Sequence, residues 1–304
     1  MKSKRCLSMT TSKGSGFVYV NGRFMPQEEA SISVFDSGFL SGDAIFEGLR
    51  IHEGRALRLE EHLDMLWESA HALMMGLTLT RDEVREAVVE TARRNGFKED
   101  GYLRIQITRG RMSKPFMNPS LAEGESSMVI FPDPGPPSRG GEGARIITSS
   151  IRRVPPDSLD QKIHSCNKLN SLLAKLQANL VGADEALMLD ESGFVAECST
   201  TNIFLVKDGQ VLTPHPKSCK LGVTRQAIMD GARGLGYEVV EKDISLYEAY
   251  NCDECFCCGT HGGITPVIEI DGRRVGDGGR GPVTENIVEF YSDLSGREGF
   301  PIYQ

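Results

Sequence analysis

Hydrophobic and polar positions change period several times along the chain, and each change marks an element. Residues 17–20, Phe-Val-Tyr-Val, run into Asn21-Gly22 and on to Arg23-Phe24. Asn-Gly supplies the positive φ angles of a tight two-residue turn, so a hairpin opens the fold. Across 57–75, Leu59, Leu63, Leu66, Ala70 and Leu73 recur at helical spacing and predict a long helix, with Trp67 and the Met74-Met75 pair read as its packing. A second helix is predicted over 80–94, with Thr80 placed to cap its first turn. Alternation over 102–109 predicts a strand. The stretch 131–143, FPDPGPPSRGGEG, excludes a helix or a central strand and reads as an extended connector. Beyond it, strands are predicted at 144–148, 185–189 and 203–207, and helices at 171–181 and 224–235. A final helix starts at Thr284 and buries Ile287, Phe290, Tyr291 and Leu294. This mixed order predicts an α/β (mixed α+β) protein with two cores: a small domain over 1–131, a connector over 132–143 and a larger domain over 144–304.

Composition narrows the class. The 304 residues carry 34 basic against 42 acidic side chains, for a net charge of −8, and no long Lys/Arg block. Nucleic acid and anionic membranes are therefore not expected partners. The basic start Met1-Lys2-Ser3-Lys4-Arg5 is followed by no apolar core of the kind a secretory signal needs, and no run approaches a membrane span. A cytoplasmic protein with reduced thiols is the expectation, although the chain holds 8 cysteines. Cys252, Cys255, Cys257 and Cys258 suggest zinc by spacing, but no second ligand pair accompanies them. Glu254-Cys255-Phe256-Cys257-Cys258 alternates as a buried strand in which free Cys acts as a small hydrophobe, and no metal is predicted.

Three features carry chemistry. Gly222-Val223-Thr224-Arg225 opens a helix, where first-turn amides and a Thr hydroxyl can hold an anion. Gly259-Thr260-His261-Gly262-Gly263 follows a strand and offers further amides. Glu197 lies among small residues, an awkward place for a carboxylate without a cationic partner. His52, His62, His71 and His215 lack ligand spacing and read as surface or capping residues.

Five motifs in order then become legible: Phe46-Glu47-Gly48-Leu49-Arg50; Arg58 within Leu57-Arg58-Leu59-Glu60-Glu61-His62; Glu197 with Asn202-Ile203-Phe204; Gly222-Val223-Thr224-Arg225; and Gly259-Thr260 with Ile264-Thr265-Pro266-Val267. Together they resemble the class IV aminotransferases, the fold-type IV pyridoxal phosphate enzymes, and most of all the branched-chain members. The resemblance implies a two-domain fold with pyridoxal 5'-phosphate in the interdomain cleft, and a homodimer. It implies amino transfer between an amino acid, branched-chain-like, and a 2-oxo acid such as 2-oxoglutarate. It also implies that Arg58, Val223, Thr224 and Thr260 cup the cofactor phosphate and that Glu197 faces the pyridine nitrogen. Phe46, Tyr102, Arg104 and His261 would line the substrate side. Ser41 and Gly42-Asp43-Ala44 lean instead towards D-amino acid or atypical relatives.

One departure stands out. Where relatives read Pro-Arg-Val-Lys-Ser-x-Asn-Tyr-Leu-Asn, this chain reads Gln161-Lys162-Ile163-His164-Ser165-Cys166-Asn167-Lys168-Leu169-Asn170. Aligned on that pattern, His164 stands where the resemblance puts the catalytic lysine, and imidazole cannot form the imine that such a lysine makes. Three readings follow. Lys168, one helical turn on, takes over the imine while His164 shuttles the proton. Alternatively, the cofactor is held by phosphate and ring contacts alone, and an amine condenses with it directly. In the third, the chain is a non-catalytic relative that binds a phosphate ligand. Lys162 and Lys220 are weaker imine candidates, Lys220 because it lies on a variable approach to the phosphate loop. A lyase of the aminodeoxychorismate lyase type is the alternative within the same fold.

Overall fold

The computed structural model describes residues 16–133, 143–217 and 219–303; the amino-terminal segment considered above and most of the Pro/Gly-rich stretch lie outside them. Strands β1 (Phe17–Val20) and β2 (Arg23–Pro26) form the expected hairpin, with Asn21 at φ 46° and Gly22 at φ 86°. They join β3 (Ala44–His52), β4 (Arg55–Ala56), β5 (Asp100–Thr108) and β6 (Ser127–Asp133) in one sheet, which a late strand, Phe300–Pro301, extends at the β4 edge. Pro132 and Asp133, expected in the connector, close β6 instead, where they pair with Leu103 and Tyr102.

The second sheet holds β7 (Ala144–Thr148), β8 (Glu185–Leu189), β9 (Val195–Cys198), β10 (Asn202–Lys207), β11 (Gln210–Pro214), β12 (Val239–Lys242), β13 (Glu254–Gly259), β14 (Gly263–Ile270) and β15 (Arg273–Arg274). Its order is β12-β11-β10-β13-β14-β7-β8-β9, with β15 on β14, and it mixes parallel with antiparallel pairs. The carboxy-terminal strand Phe300–Pro301 is β16.

Helices cover the outer faces. After a short α1 (Ser37–Ser41), α2 (Leu59–Ala72) and α3 (Arg81–Arg94) lay Leu59, Leu63, Leu66, Val84 and Val88 on the first sheet. Thr80 caps α3 as expected, in a reciprocal box with Glu83. The first long helix begins two residues later than its spacing suggests, because Arg58 takes a left-handed φ of 49°. Met74, expected to pack, is exposed beyond the end of α2, while Met75 is buried. Between the short α4 (Pro156–Leu159) and α7 (Leu246–Tyr250) come α5 (Leu169–Val181) and α6 (Val223–Gly234), and α8 (Pro282–Glu298) follows. Ile287 and Leu294 are fully buried on α8, Phe290 and Tyr291 only in part. The buried carboxylate of Glu254 caps α8 by accepting from the Val283 and Thr284 amides at 3.0 and 2.7 Å. The cysteines of β13 are buried in a strand, as their pattern suggests. Among the described residues, no helix is long and apolar enough to cross a membrane.

Candidate functional site

A recess lies between the two sheets, lined by Arg58, His62, Val223, Thr224, Thr260 and Tyr291 among others. Four residues singled out for phosphate binding thus come together from three distant parts of the chain. Gly222 caps α6 with no side-chain hydrogen bond, so the amides of the first turn have no internal acceptor. A Cβ at Gly222 would stand 2.5 Å from Asn202 Oδ1, which explains a glycine with an ordinary φ of −68°. Arg58, with a left-handed φ of 49°, lines the recess. Its Nη1 donates to Glu61 at 3.2 Å, while the buried Nε has no partner among the described residues.

Glu197 on β9 is buried, and it has a cationic partner. The buried Arg153 donates to it through Nη2 and to Ser171 Oγ through Nη1 at 2.7 Å. Asn202 Nδ2 and the Lys220 backbone amide donate to the other carboxylate oxygen at 3.1 and 3.2 Å. Arginine, amide side chain and backbone therefore surround a group that composition alone left unexplained.

Behind the recess is a cluster that the sequence reading did not assemble. By alternation along β3, Glu47 falls on the same face as Ile45, Leu49 and Ile51, all fully buried. A carboxylate there needs strong compensation, and three nitrogens supply it. His62 Nδ1 stands 2.8 Å from Oε2, and His164 Nδ1 and Lys220 Nζ stand 2.7 and 2.9 Å from Oε1. Lys220 Nζ also touches His164 Nδ1 directly. Burial pushes the Glu47 carboxyl up, yet Lys220 and the two histidines hold it well below the usual carboxylate range. Burial, reinforced by the charge of Lys220, drives His164 down to about 3, so its imidazole is neutral. Burial also lowers the Lys220 ammonium against the opposing pull of Glu47. His62, expected at the surface or at a cap, is thus buried and belongs to the site; the ionised carboxylate beside it can only accept, so its Nδ1 donates.

His164 is held by backbone contacts. Segment 164–166 runs antiparallel to the start of β3, with Phe46 N donating to His164 O at 2.9 Å and Cys166 N to Ala44 O at 2.8 Å. The expectation that Lys168 shares a helix face with His164 fails for that reason, since 164–166 is extended and α5 begins only at Leu169. Lys168 caps α5, with Nζ 5.7 Å from the Phe46 ring centre. Burial, then Arg153, brings its ammonium down to about 8. Lys162 is exposed and paired with Asp160.

On the face of the first sheet away from α2 and α3, Phe46 lies between His164, at 3.8 Å between ring centres, and the Arg104 guanidinium, 3.7 Å above its ring. Arg104 meets Cys166 Sγ at 3.9 Å, and its buried Nε has no partner among the described residues. Tyr102 packs its hydroxyl against Gly48, where any side chain would collide, and burial pushes that hydroxyl up to about 12. Its ring meets His261 edge-on at 4.6 Å, and His261 Nε2 pairs with Asp133 at 3.0 Å. The Ser41 hydroxyl is spent on the Ser37 carbonyl and Asp43 on Arg109. Glu47 and Lys220 carried a legible signal after all: a carboxylate within an apolar strand, and a lysine two residues before a helix-opening glycine.

Comparison with known proteins gives the family and the fold. The family model Amino-transferase class IV matches residues 44–270. A putative branched-chain-amino-acid aminotransferase of Methanocaldococcus jannaschii is 40% identical over 287 residues, covering 94% of this chain and 99% of that one. Branched-chain-amino-acid aminotransferase-like protein 2 of Arabidopsis thaliana is 40% identical over 285 residues and 93% of this chain, which spans about half (51%) of that relative's length. Among solved structures, the branched-chain amino acid aminotransferase from Thermobaculum terrenum in its PLP-form (holo-form) superposes with a TM-score of 0.85 at 29% identity, over 95% of this chain and 99% of that one. The mixed α/β arrangement of two sheets is the fold the two share.

Proposed function

Because the chain belongs to the class IV amino-transferases, we propose that it moves an amino group between a branched-chain-like amino acid and a 2-oxo acid, with pyridoxal 5'-phosphate as cofactor. The observation that carries this is the recess itself. A buried Arg58 Nε with no partner among the described residues, the first turn of α6 opened by Gly222 and the Thr224 and Thr260 side chains converge there, and His62 links it through Glu47 to Lys220 and His164.

The residues present suit such a cofactor. Arg58, Thr224, Thr260 and the Val223 amide would hold its phosphate, a dianion that a guanidinium and helix-end amides favour. Glu197, fixed by Arg153 and Asn202, would hold a proton on the ring nitrogen. When bound, the cofactor supplies an electron sink for the pair released at the amino acid's α-carbon. The buried pair Lys220 Nζ and His164 Nδ1 can hold and move the proton that leaves that carbon. Arg104 would take the substrate carboxylate, because no acidic side chain of the described residues lies against its guanidinium. Phe46, Tyr102 and the His261 turn would wall the side-chain pocket and exclude water.

Equilibrium titration with pyridoxal 5'-phosphate, followed by an amino-transfer assay with leucine and 2-oxoglutarate, tests the reading. The unmodified chain is expected to bind, and Arg58→Ala to bind at least about tenfold more weakly, since a charge-assisted bond contributes about 1.5–3 kcal/mol. Equal affinity in the two proteins overturns the phosphate cup. Binding without amino transfer leaves a phosphate-ligand binding protein in its place.

A further inference from the structure

We propose that Lys220, rather than Lys168, is the amine that condenses with the aldehyde of the cofactor, with His164 as its proton partner and Glu47 as the anchor of both. The inference rests on the cofactor reading above and goes beyond it by assigning the covalent step to a loop lysine.

Three lysines are candidates, and the geometry separates them. Lys162 is exposed and engaged by Asp160. Lys168 is tied to the start of α5, its Nζ near the Phe46 ring and without a hydrogen bond to His164 or Glu47. Lys220 is fixed at both ends. Its backbone amide donates to Glu197 at 3.2 Å and its carbonyl accepts from Asn202 Nδ2 at 3.0 Å, while its Nζ reaches Glu47 and His164. It also lies two residues before Gly222, so the loop that shapes the anion recess carries the amine. Backbone anchoring to the carboxylate proposed to face the ring holds the stem beside the cofactor's own site.

The contacts at His164 Nδ1 provide the proton chemistry. That atom stands within hydrogen-bond distance of the Glu47 carboxylate, which only accepts, and of Lys220 Nζ. It cannot donate to the first and accept from the second at once. Either the Lys220 ammonium donates to both His164 and Glu47, or Nδ1–H donates to Glu47 and Lys220 is a neutral amine. The two arrangements differ in where protons sit, and burial disfavours the ammonium. The step then balances without an oxidant. In the second arrangement the nitrogen pair of the neutral Lys220 amine attacks the aldehyde carbon, the nitrogen gives up its two protons, these pass to the carbonyl oxygen with the neutral His164 imidazole as relay, and that oxygen leaves as water. A carbon–nitrogen double bond replaces the carbon–oxygen one.

The full chain is loaded with pyridoxal 5'-phosphate, reduced with borohydride, digested and mapped by mass spectrometry. The cofactor mass is expected on the peptide containing Lys220 in the unmodified protein and in Lys168→Ala. It is expected to be lost in Lys220→Ala, together with the visible absorbance band. Pyridoxamine 5'-phosphate, which has no aldehyde, separates the two readings. If the unmodified protein binds neither compound in equilibrium dialysis, the cofactor reading itself fails. If it binds both and the label maps to Lys168 or Lys162, or no label forms, the cup stands and the assignment to Lys220 is overturned. Mapping in the unmodified chain keeps the test independent of whether Lys220→Ala folds.

Discussion

At the scale of single residues, Glu47 and His164 decide how this protein responds to acid. His164 is held neutral in the folded chain at about 3, against an ordinary 6.5. Between those values the unfolded chain binds more protons than the folded one, so stability rises with pH across that window and falls as the solution is acidified. Glu47, held well below its ordinary 4.5, adds to the loss in the same direction at the acid end. The loss from His164 grows steadily as the pH falls below 6.5. Urea midpoints measured from about pH 7.5 to 5 should drop in the unmodified protein, and His164→Gln should flatten that drop. Parallel curves in the two proteins would show that His164 is not the titrating group.

Among the elements, the first turn of α6 joins fold to chemistry. Gly222 carries no φ strain, yet a methyl group there would press on Asn202 Oδ1 at 2.5 Å. Asn202 in turn donates to Glu197 and to the Lys220 carbonyl, so displacing it loosens both. Gly222→Ala should lower affinity for pyridoxal 5'-phosphate about tenfold and cost about 1–3 kcal/mol of stability, as overpacking usually does. Gly234, at the far end of the same helix, has open space around its missing Cβ. Gly234→Ala should leave the affinity unchanged and be neutral or slightly stabilising. Fluorescence titration with thermal melts on the three proteins checks this, and equal affinities in all three would free Gly222 from the role given to it.

For the molecule as a whole, α5 has its apolar side outward. It packs small residues, Ser171, Ala174 and Ala178, against the second sheet and leaves Leu172, Leu176 and Leu180 59%, 56% and 85% exposed. Ile32, Val34 and Phe39 are exposed near α1. Apolar side chains in such numbers favour a covered surface, and we expect a second copy of the chain to supply the cover. Sedimentation velocity should show a dimer, and Leu172→Glu combined with Leu176→Glu should shift it to monomer. A monomeric unmodified protein would overturn the expected homodimer. Strand β16, after the last helix, returns to the β4 edge of the first sheet.

What the chain states locally was readable from the sequence. The Asn21-Gly22 hairpin, the Thr80 cap, the buried cysteine strand and the helix-opening turn at Gly222 each depend on neighbours within a few residues, where spacing and turn chemistry suffice. The motif order also carried the family, and Arg58, Thr224 and Thr260, named from it, line one recess. Strand β3 was missed because most of its residues are buried, which blurs the alternation that identifies a half-exposed strand. Glu47 and Lys220 lie 173 residues apart, and Lys220 and His164 lie 56 apart. No local rule joins them. Only the packing of two sheets, with 164–166 laid along β3, brings an acid, two imidazoles and an amine within hydrogen-bond reach. Burial then sets their protonation, because the cost of a charge depends on the surroundings that the folded chain provides.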